Sequence, residues 1–447
     1  MYQLNDDIVA LATVAGRSAI SVVRVSGKSS QSFYSKILRV SKSPTPNYVK
    51  LASLYNPKTK KLIDQAMVTF YKSPKSFTGE DCLEFSVHGG AVIANNLIGA
   101  LISLGARGAM PGEFSYRAFI NNKIDLLQAE AIASVIESTN DLDNYYSLSA
   151  IKGQLSKGIK KSHSILKRVL TVGEHELDFN EGEIDFTKST QYLTELEAAH
   201  KIINNTLNTC YTTEDKKSGV RLAIIGLPNA GKSSLFNVLL GRSRAIVTNI
   251  EGTTRDILEQ DVYIKETLVT LVDTAGIRSA TNTIEKIGIK KSFEEVENSD
   301  LIVLVDEKNP LVLYNQIKKE LGQTPVVLVC NKSDINNQKP SKGVINISCK
   351  NKSGIDQLIT ELSTIIFKQI NFFKAQHSCL VNKRQKKLLI QIDKELQKTI
   401  KDYKSNKDLA VCVSLLYSTI DHFNTLLRPI DKNDILNDIF GGFCVGK

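Results

Sequence analysis

Nine consecutive residues, Gly226-Leu-Pro-Asn-Ala-Gly231-Lys232-Ser233-Ser234, constrain the fold more than any other stretch of the chain. They follow Val220–Ile225, a run patterned like a buried strand, and lead into Leu235–Leu240, which has helical character. A glycine-rich turn between a strand and a helix aims backbone amides and a helix N-terminus at one point, the geometry that wraps a chain of phosphates. Such a unit needs an α/β sheet behind it. Asn229, Ala230, Gly231 and Ser234 line the loop. Lys232 is placed to reach the β and γ phosphates, and Ser233 to offer its hydroxyl to magnesium.

Further segments follow in the order that guanine-nucleotide binding requires. The polar stretch Thr248-Asn249-Ile250-Glu251-Gly252-Thr253-Thr254, continuing into Arg255-Asp256, has the position of a switch loop, with Thr254 completing the magnesium shell. Leu268–Val272 is an apolar strand that ends in Asp273-Thr274-Ala275-Gly276, which puts Asp273 beside the metal and the Gly276 amide at the γ phosphate. Pro325–Cys330 is a second buried strand and ends in Asn331-Lys332-Ser333-Asp334. A carboxylate at Asp334 accepts both N–H groups on the base edge of guanine, which adenine does not supply. Val344–Ile347 leads into Ser348-Cys349-Lys350, in the position of a base-contacting loop. The residue after Asp-Thr-Ala-Gly is Ile277, where Ras-type enzymes keep Gln, so another group must orient the attacking water. Asn229 reads either as a holder of a charge-neutralising cation or as a turn former after Pro228.

The chain has 447 residues, which at roughly 100–200 per domain predicts two to four domains. Residues 1–119 alternate strand-like and helix-like segments: Ile8–Val14, Ala19–Val25, Asp64–Tyr71 and Cys82–His88 read as strands and Ala91–Leu104 as a helix, in an α+β domain. From Asn121 onward Ile124, Leu127, Ala131, Val135, Leu148, Ile151, Leu155, Ile159, Leu166 and Leu170 follow helical spacing, read as one stripe along a long helix. A further helix covers Tyr192–Leu207, and Thr209–Gly219 reads as a polar linker. Helical pattern resumes near Asn382 and reaches Phe440. Residues 120–215 and 372–447 therefore read as one helical domain, with a phosphate-loop α/β domain, residues 219–370, inserted in it.

Seven scattered cysteines form no Cys-x-x-Cys pair, which signals neither a zinc site nor a disulfide framework. No apolar run approaches the ~18–20 residues of a membrane span, and the N-terminus lacks the order of a signal peptide, so a cytoplasmic protein is expected. The net charge of +10 fits either an anionic partner such as RNA or a lysine-rich composition. The series Lys383, Arg384, Lys386, Lys387, Lys394, Lys398 and Lys401 fits a phosphate-gripping face, or more simply a solvated helix face. His88, beside Gly89-Gly90, reads as a catalytic or a turn histidine.

Over essentially its whole length the chain resembles the tRNA-modification GTPases of the MnmE/TrmE type. Gly-x-Pro-Asn-Ala-Gly-Lys-Ser-Ser and Ala245-Ile-Val-Thr-x-Ile-x-Gly-Thr-Thr-Arg-Asp256 are shared with several ribosome-assembly GTPases. The outer segments are more telling: Ser76-Phe-Thr-Gly-Glu-Asp through His88-Gly-Gly90, Pro111-Gly-Glu-Phe-Ser-x-Arg-Ala-Phe119 into Lys123-Ile-Asp-Leu, and the terminus Phe443-Cys444-Val445-Gly446-Lys447. The resemblance implies an N-terminal domain that forms a homodimer and binds a tetrahydrofolate derivative, in the 5-formyl or 5,10-methylene form, at Arg24, Glu84 and Lys123, with Lys447 approaching from the C-terminus. It implies potassium held by Asn229 and by the chain at Thr248, Ile250 and Thr253, with Glu285 positioning the water. It further implies a heterotetramer with an FAD-dependent protein of the MnmG type, together adding a carboxymethylaminomethyl group to carbon 5 of the wobble uridine of certain tRNAs. Cys444 would sit by the folate site as a nucleophile or proton carrier, or merely pack. The rival expectation is an RNA- or ribosome-binding GTPase switch, which has no need of the Cys-x-Gly-Lys terminus.

Overall fold

The computed structural model describes residues 2–138, 141–180, 183–212, 220–242, 258–265, 267–273, 299–335, 341–429 and 433–446. The chain divides into two compact units, one of Met1–Ile136, Leu148–Leu207 and Lys387–Lys447, the other of Glu137–Ser147 and Asn208–Lys386. The architecture is the one expected: an α+β N-terminal part, helices from both flanking segments, and an α/β phosphate-loop fold between them.

The first unit is built on strands β1 (Ile8–Leu11), β2 (Ile20–Ser26), β3 (Val49–Tyr55), β4 (Leu62–Tyr71), β5 (Cys82–His88) and β6 (Arg107–Gly108). Their order is β3-β4-β5-β2-β1-β6, antiparallel except for β1 with β6. Alternation explains the layering. In β5, Leu83, Phe85 and Val87 are buried, while Glu84, Ser86 and His88 lie on the opposite face. The helices Ser30–Leu38 and Ala91–Ile102 share a core with the first set, through Phe33, Ile37, Leu97 and Leu101. Each such side chain stabilises the fold by about 1.5–3 kcal/mol. The other face carries Arg24 opposite Glu84 and exposes Ile20, Leu51 and Met67.

The stripe beginning at Asn121 is not one long helix. It is divided into Leu126–Glu137, Asp141–Ile151 and Gln154–Leu177. Gly153 interrupts it, and Gln128 Nε2 donates to the Ile151 carbonyl at 2.9 Å, satisfying an acceptor that a continuing helix would have used. Gln154–Leu177 packs on Leu409–Leu427, with the His163 ring stacked on Phe423 at 5.4 Å between centroids. Among the described residues no helix is long and apolar enough to cross a membrane.

The second unit contains β8 (Val220–Gly226), β9 (Leu258–Ile264), β10 (Thr267–Asp273), β11 (Leu301–Asp306), β12 (Val326–Cys330) and β13 (Val344–Asn346). The order is β13-β12-β11-β8-β10-β9, and only β9 runs antiparallel to its neighbour. All six residues of β11 are buried, as expected of a central parallel strand covered on both faces. The helices Lys232–Arg242 and Ile355–Gln376 share one apolar core with the sheet; Leu311 and Ile317, on Pro310–Ile317, join the other. The stretch read as a linker from Thr209 begins instead with a strand, β7 (Cys210–Thr212). It pairs in parallel with β14 (Cys379–Val381), because both segments combine β-favouring residues with a register partner.

Candidate functional site

In an open parallel sheet, ligands gather at the carboxyl ends of the strands. The phosphate loop leaves β8 there and ends at the first turn of the helix Lys232–Arg242. Asn229 has φ 63°, a left-handed conformation that asparagine tolerates. Gly231, at φ 94°, must be glycine: a Cβ there would come within 2.1 Å of Asn331 Nδ2. The space a side chain would fill is thus taken by the neighbouring loop. Lys232 Nζ donates to the carbonyls of Gly226 and Leu227, each at 2.9 Å, so its ammonium lies over the loop. Ala230 is buried, and Ser233 and Ser234 lie in the first turn of the helix.

Asn331 ties the phosphate side to the base side. Its Nδ2 donates to the Ala230 carbonyl at 3.0 Å, its Oδ1 accepts from the Cys349 amide at 3.3 Å, and it is 2% exposed. Ser348 Oγ donates to Asp334 Oδ1 at 2.6 Å, and this hydrogen bond outweighs slight desolvation to hold the Asp334 carboxyl below the usual carboxylate range. The Ser333 amide donates to the Ile347 carbonyl at 3.1 Å, fastening the loop after β12 to the end of β13. Lys332 Nζ pairs with Glu307 Oε2 at 2.7 Å, and the ammonium holds the Glu307 carboxyl low. Lys350 follows in the same turn. Burial pushes the Cys349 thiol up to about 11, which keeps it protonated at neutral pH. Glu307 and the bridging role of Asn331 were not read from the sequence, since neither has a local pattern to reveal it.

Thr248, Asn249, Ile250, Glu251, Gly252, Thr253, Thr254, Thr274, Ala275, Gly276, Glu285 and Lys447 lie outside the described residues. Of Asp273 only the backbone is described; it closes β10 in register with Ile224 of β8.

A second cluster lies in the first unit. Arg24 Nε donates to Glu84 Oε1 at 2.8 Å, and Tyr71 Oη reaches Glu84 Oε2 at 3.4 Å. The guanidinium lies 5.9 Å from the Phe77 ring centre and 5.8 Å from that of Phe114. Its Nη1 donates to the Gly446 carbonyl at 3.2 Å. Gly446 is seated so closely that a Cβ would come within 2.5 Å of the Leu11 carbonyl oxygen. Lys123 does not join the ion pair; its Nζ donates to the Pro74 carbonyl at 2.8 Å, on the loop that also carries Phe77. Cys444 is exposed, and its carbonyl accepts from the Gly112 amide at 3.4 Å. His88 is an exposed strand-end residue, with Nδ1 held by Asp64 Oδ1 at 2.8 Å.

Beneath this cluster is a network that sequence reading missed. Arg117, fully buried, pairs with Asp6 at 2.6 Å, with Glu80 at 3.1 Å and with the fully buried Glu113 at 3.3 Å; Arg107 pairs with Glu113 and Asp6, each at 2.6 Å. It fastens the N-terminal segment to the Ser76–Asp81 loop and to the helix Glu113–Ile120.

Comparison with known proteins places the chain in a family. Residues 7–123 match the family described as the GTP-binding protein TrmE N-terminus, and residues 126–444 match the MnmE helical domain. The tRNA modification GTPase MnmE of Aquifex aeolicus (strain VF5) is 34% identical, over 99% of this chain and 100% of its own. That of Aliarcobacter butzleri (strain RM4018) is 36% identical over 99% of both chains, and that of Sulfurovum sp. (strain NBC37-1) is 34% identical over 100% of this chain and 99% of its own. With family models matching residues 7–123 and 126–444 and relatives that align from end to end, the chain belongs to the family of MnmE tRNA modification GTPases.

Proposed function

We propose that this protein is a potassium-dependent GTPase that acts with an FAD-dependent protein of the MnmG type. Together they add a carboxymethylaminomethyl group to carbon 5 of the wobble uridine of certain tRNAs, in the cytoplasm. The observation that carries the GTPase half is the Asn331 bridge, which holds the phosphate loop and the base loop in one frame. Residues 219–370 form the GTPase domain in this reading. Residues 1–119 bind the folate and form the homodimer, and residues 120–215 with 372–447 form one helical domain into whose chain the GTPase domain is inserted.

Each residue then has a task. Asp334 accepts the two N–H groups of guanine, with Ser348 holding its carboxylate in place. The loop amides and Lys232 bind the phosphates. Ser233 and Thr254 would hold magnesium, with Asp273 beside it, and Asn229 with the chain at Thr248, Ile250 and Thr253 would hold potassium. When bound, these ions would supply positive charge to the phosphates. Glu285 orients the attacking water, the task that Ile277 cannot perform. Remaining nucleotide contacts fall to Ala230, Gly231, Ser234, Asn249, Glu251, Gly252, Thr274, Ala275, Gly276, Asn331, Lys332, Ser333, Cys349 and Lys350.

The folate reading is supported by Glu84, a part-exposed carboxylate able to accept ring N–H groups, paired with Arg24, whose guanidinium lies near the half-exposed ring of Phe77. Arg24, Lys123 and Lys447 complete that site, and Cys444 stands on the segment that seats against it. Dimerisation is supported by Ile20, Leu51 and Met67, exposed on the same face of the sheet as Arg24. Nucleoside mass spectrometry of tRNA from cells lacking the protein tests the function. Loss of the modified wobble uridine is expected. Normal levels would leave a GTPase switch on RNA as the better reading.

A further inference from the structure

Cys210 opens β7 and Cys379 opens β14, and the two are register partners across this parallel ladder. Neighbouring strands lie about 4.8 Å apart, and a disulfide spans Cα separations of about 4.4–6.8 Å. Residues in register project to the same face of a ladder, so the two Cβ atoms lie side by side. Both residues are thiols, Cys379 buried and Cys210 partly exposed. The chain just before them is pinned: the Ser378 amide donates to the Thr209 carbonyl at 2.8 Å, and the Thr209 and Ser378 hydroxyls lie 2.7 Å apart. Among the described residues, no group of three His, Cys, Asp or Glu side chains is placed to hold a metal.

The position in the chain gives the pair its meaning. Cys210 lies just before the α/β sheet begins at β8, and Cys379 lies just after its last helix, Ile355–Gln376. The ladder has three residues on each strand, too short to be stable by itself. We propose that Cys210 and Cys379 form a peroxide-sensitive clasp, whose disulfide ties the incoming to the outgoing strand of the nucleotide-binding region and slows its catalytic cycle.

The chemistry balances with a peroxide as the oxidant. The Cys210 thiol loses its proton and its sulfur attacks one peroxide oxygen; the O–O bond breaks, a sulfenic acid forms, and the released hydroxide takes up the proton as water. The Cys379 thiol then gives up its proton and its sulfur attacks the Cys210 sulfur; the S–O bond breaks, the S–S bond forms, and a second water leaves. Two thiols lose two electrons and one peroxide gains them. The division of labour follows from burial, which pushes the Cys379 thiol up to about 11 against a weaker opposing hydrogen bond from Ser378. A buried thiol of that kind is a poor first nucleophile and serves as the resolving group. In a reducing compartment the pair stays as thiols and responds only to oxidant.

The clasp does not depend on the function proposed above; only its turnover readout does. The full-length reduced protein is treated with a small excess of hydrogen peroxide, its remaining thiols are blocked, and a non-reducing digest is analysed by mass spectrometry. The expected product is a peptide pair joined through Cys210 and Cys379, released by dithiothreitol and absent from Cys210→Ser. GTP turnover is expected to fall several-fold on oxidation and to recover with dithiothreitol. It should be unaffected by peroxide in Cys210→Ser, which retains Cys349 and Cys444. Sulfinic acid without a crosslink, or a bond from Cys210 to any other cysteine, would overturn the clasp. A crosslink that leaves turnover unchanged would overturn its regulatory role. Absence of turnover in the reduced protein would count against the GTPase reading, and the crosslink would then decide the clasp alone.

Discussion

Ser348 donates its hydroxyl to Asp334 at 2.6 Å, so a residue of the loop after β13 fixes the carboxylate that ends Asn331-Lys332-Ser333-Asp334. A prediction about specificity follows. Asp334→Asn replaces one acceptor with a donor, which opposes guanine and matches the carbonyl that xanthine carries instead of an amino group. Sites built to hydrogen-bond a group reject analogues lacking it by as much as about 10⁴–10⁵-fold. GTP affinity should fall by at least about a hundredfold, while xanthosine triphosphate affinity rises. Ser348→Ala removes one hydrogen bond to a charged group and should weaken GTP by about tenfold. A binding titration with both nucleotides checks this; an unchanged preference in Asp334→Asn would rule out the assignment.

Hydrolysis should require potassium. Ile277 stands where Ras-type enzymes keep Gln, and Asn229 presents its side chain from a left-handed position in the phosphate loop. A charge-neutralising group at that point is worth about 10³–10⁵ in rate. Turnover should be much faster in potassium than in sodium. Asn229→Ala should abolish the difference but also strains the backbone, since alanine resists positive φ. Asn229→Gly keeps the backbone and removes only the side chain, so both variants should lose the potassium effect together. Glu285→Ala should slow hydrolysis with little change in nucleotide affinity. Equal rates in the two salts would contradict the cation role.

The ion network around Arg117 should govern the stability of the N-terminal part, and its response to acid. Glu113 is fully buried, paired with Arg107 and Arg117, and accepts the Met110 amide at 2.8 Å. Glu113→Ala leaves Arg117 buried without this partner, and breaking such a pair costs about 3–5 kcal/mol. Burial disfavours ionisation of Asp6, but hydrogen bonds and charge from Arg107 and Arg117 outweigh it and hold its carboxyl below the usual range. A depressed value means that the stabilisation is complete above the unfolded carboxylate value of about 3.9 and is lost as pH falls through the folded one. Urea unfolding from pH 7 down to pH 3 should show stability falling at the acid end in the natural protein. Asp6→Asn should be less stable at pH 7 and lose less on acidification.

The phosphate-loop turn was legible as a strand–turn–helix because it is a local pattern whose geometry is set by its own glycines, strand and helix start. The strands β8, β11 and β12 were legible as continuous apolar runs. What escaped depends mostly on partners distant in the sequence. Asp6 and Arg117 are 111 residues apart, and no periodicity links them. The partner that makes Cys210–Thr212 a strand is likewise far along the chain, at Cys379–Val381. The division of the long apolar stripe at Gly153 was hidden because helical spacing carries on across it. Arg24 and Glu84 were singled out by resemblance alone; their pairing across β2 and β5 is a matter of register that spacing does not express.

Cys444 should be needed for tRNA modification and not for GTP hydrolysis. A chain end after Gly441-Gly442 is expected to be loose, yet this one is held at several points. The Phe443 ring packs on Phe440 at 5.4 Å, the Cys444 carbonyl accepts from Gly112, and the Gly446 carbonyl accepts from Arg24. These anchors involve a ring and backbone carbonyls, and the Cys444 side chain is exposed, so packing does not account for a thiol at this position. Cys444→Ser changes one atom and leaves every anchor in place. Thermal stability, dimerisation and potassium-stimulated GTP turnover should therefore match the natural protein. Modified wobble uridine should not return when this variant is supplied to cells lacking the protein, whereas the natural sequence restores it. Arg24→Ala, which removes an anchor, should weaken folate binding as well. Full restoration by Cys444→Ser would reduce the residue to a spacer between Phe443 and Gly446.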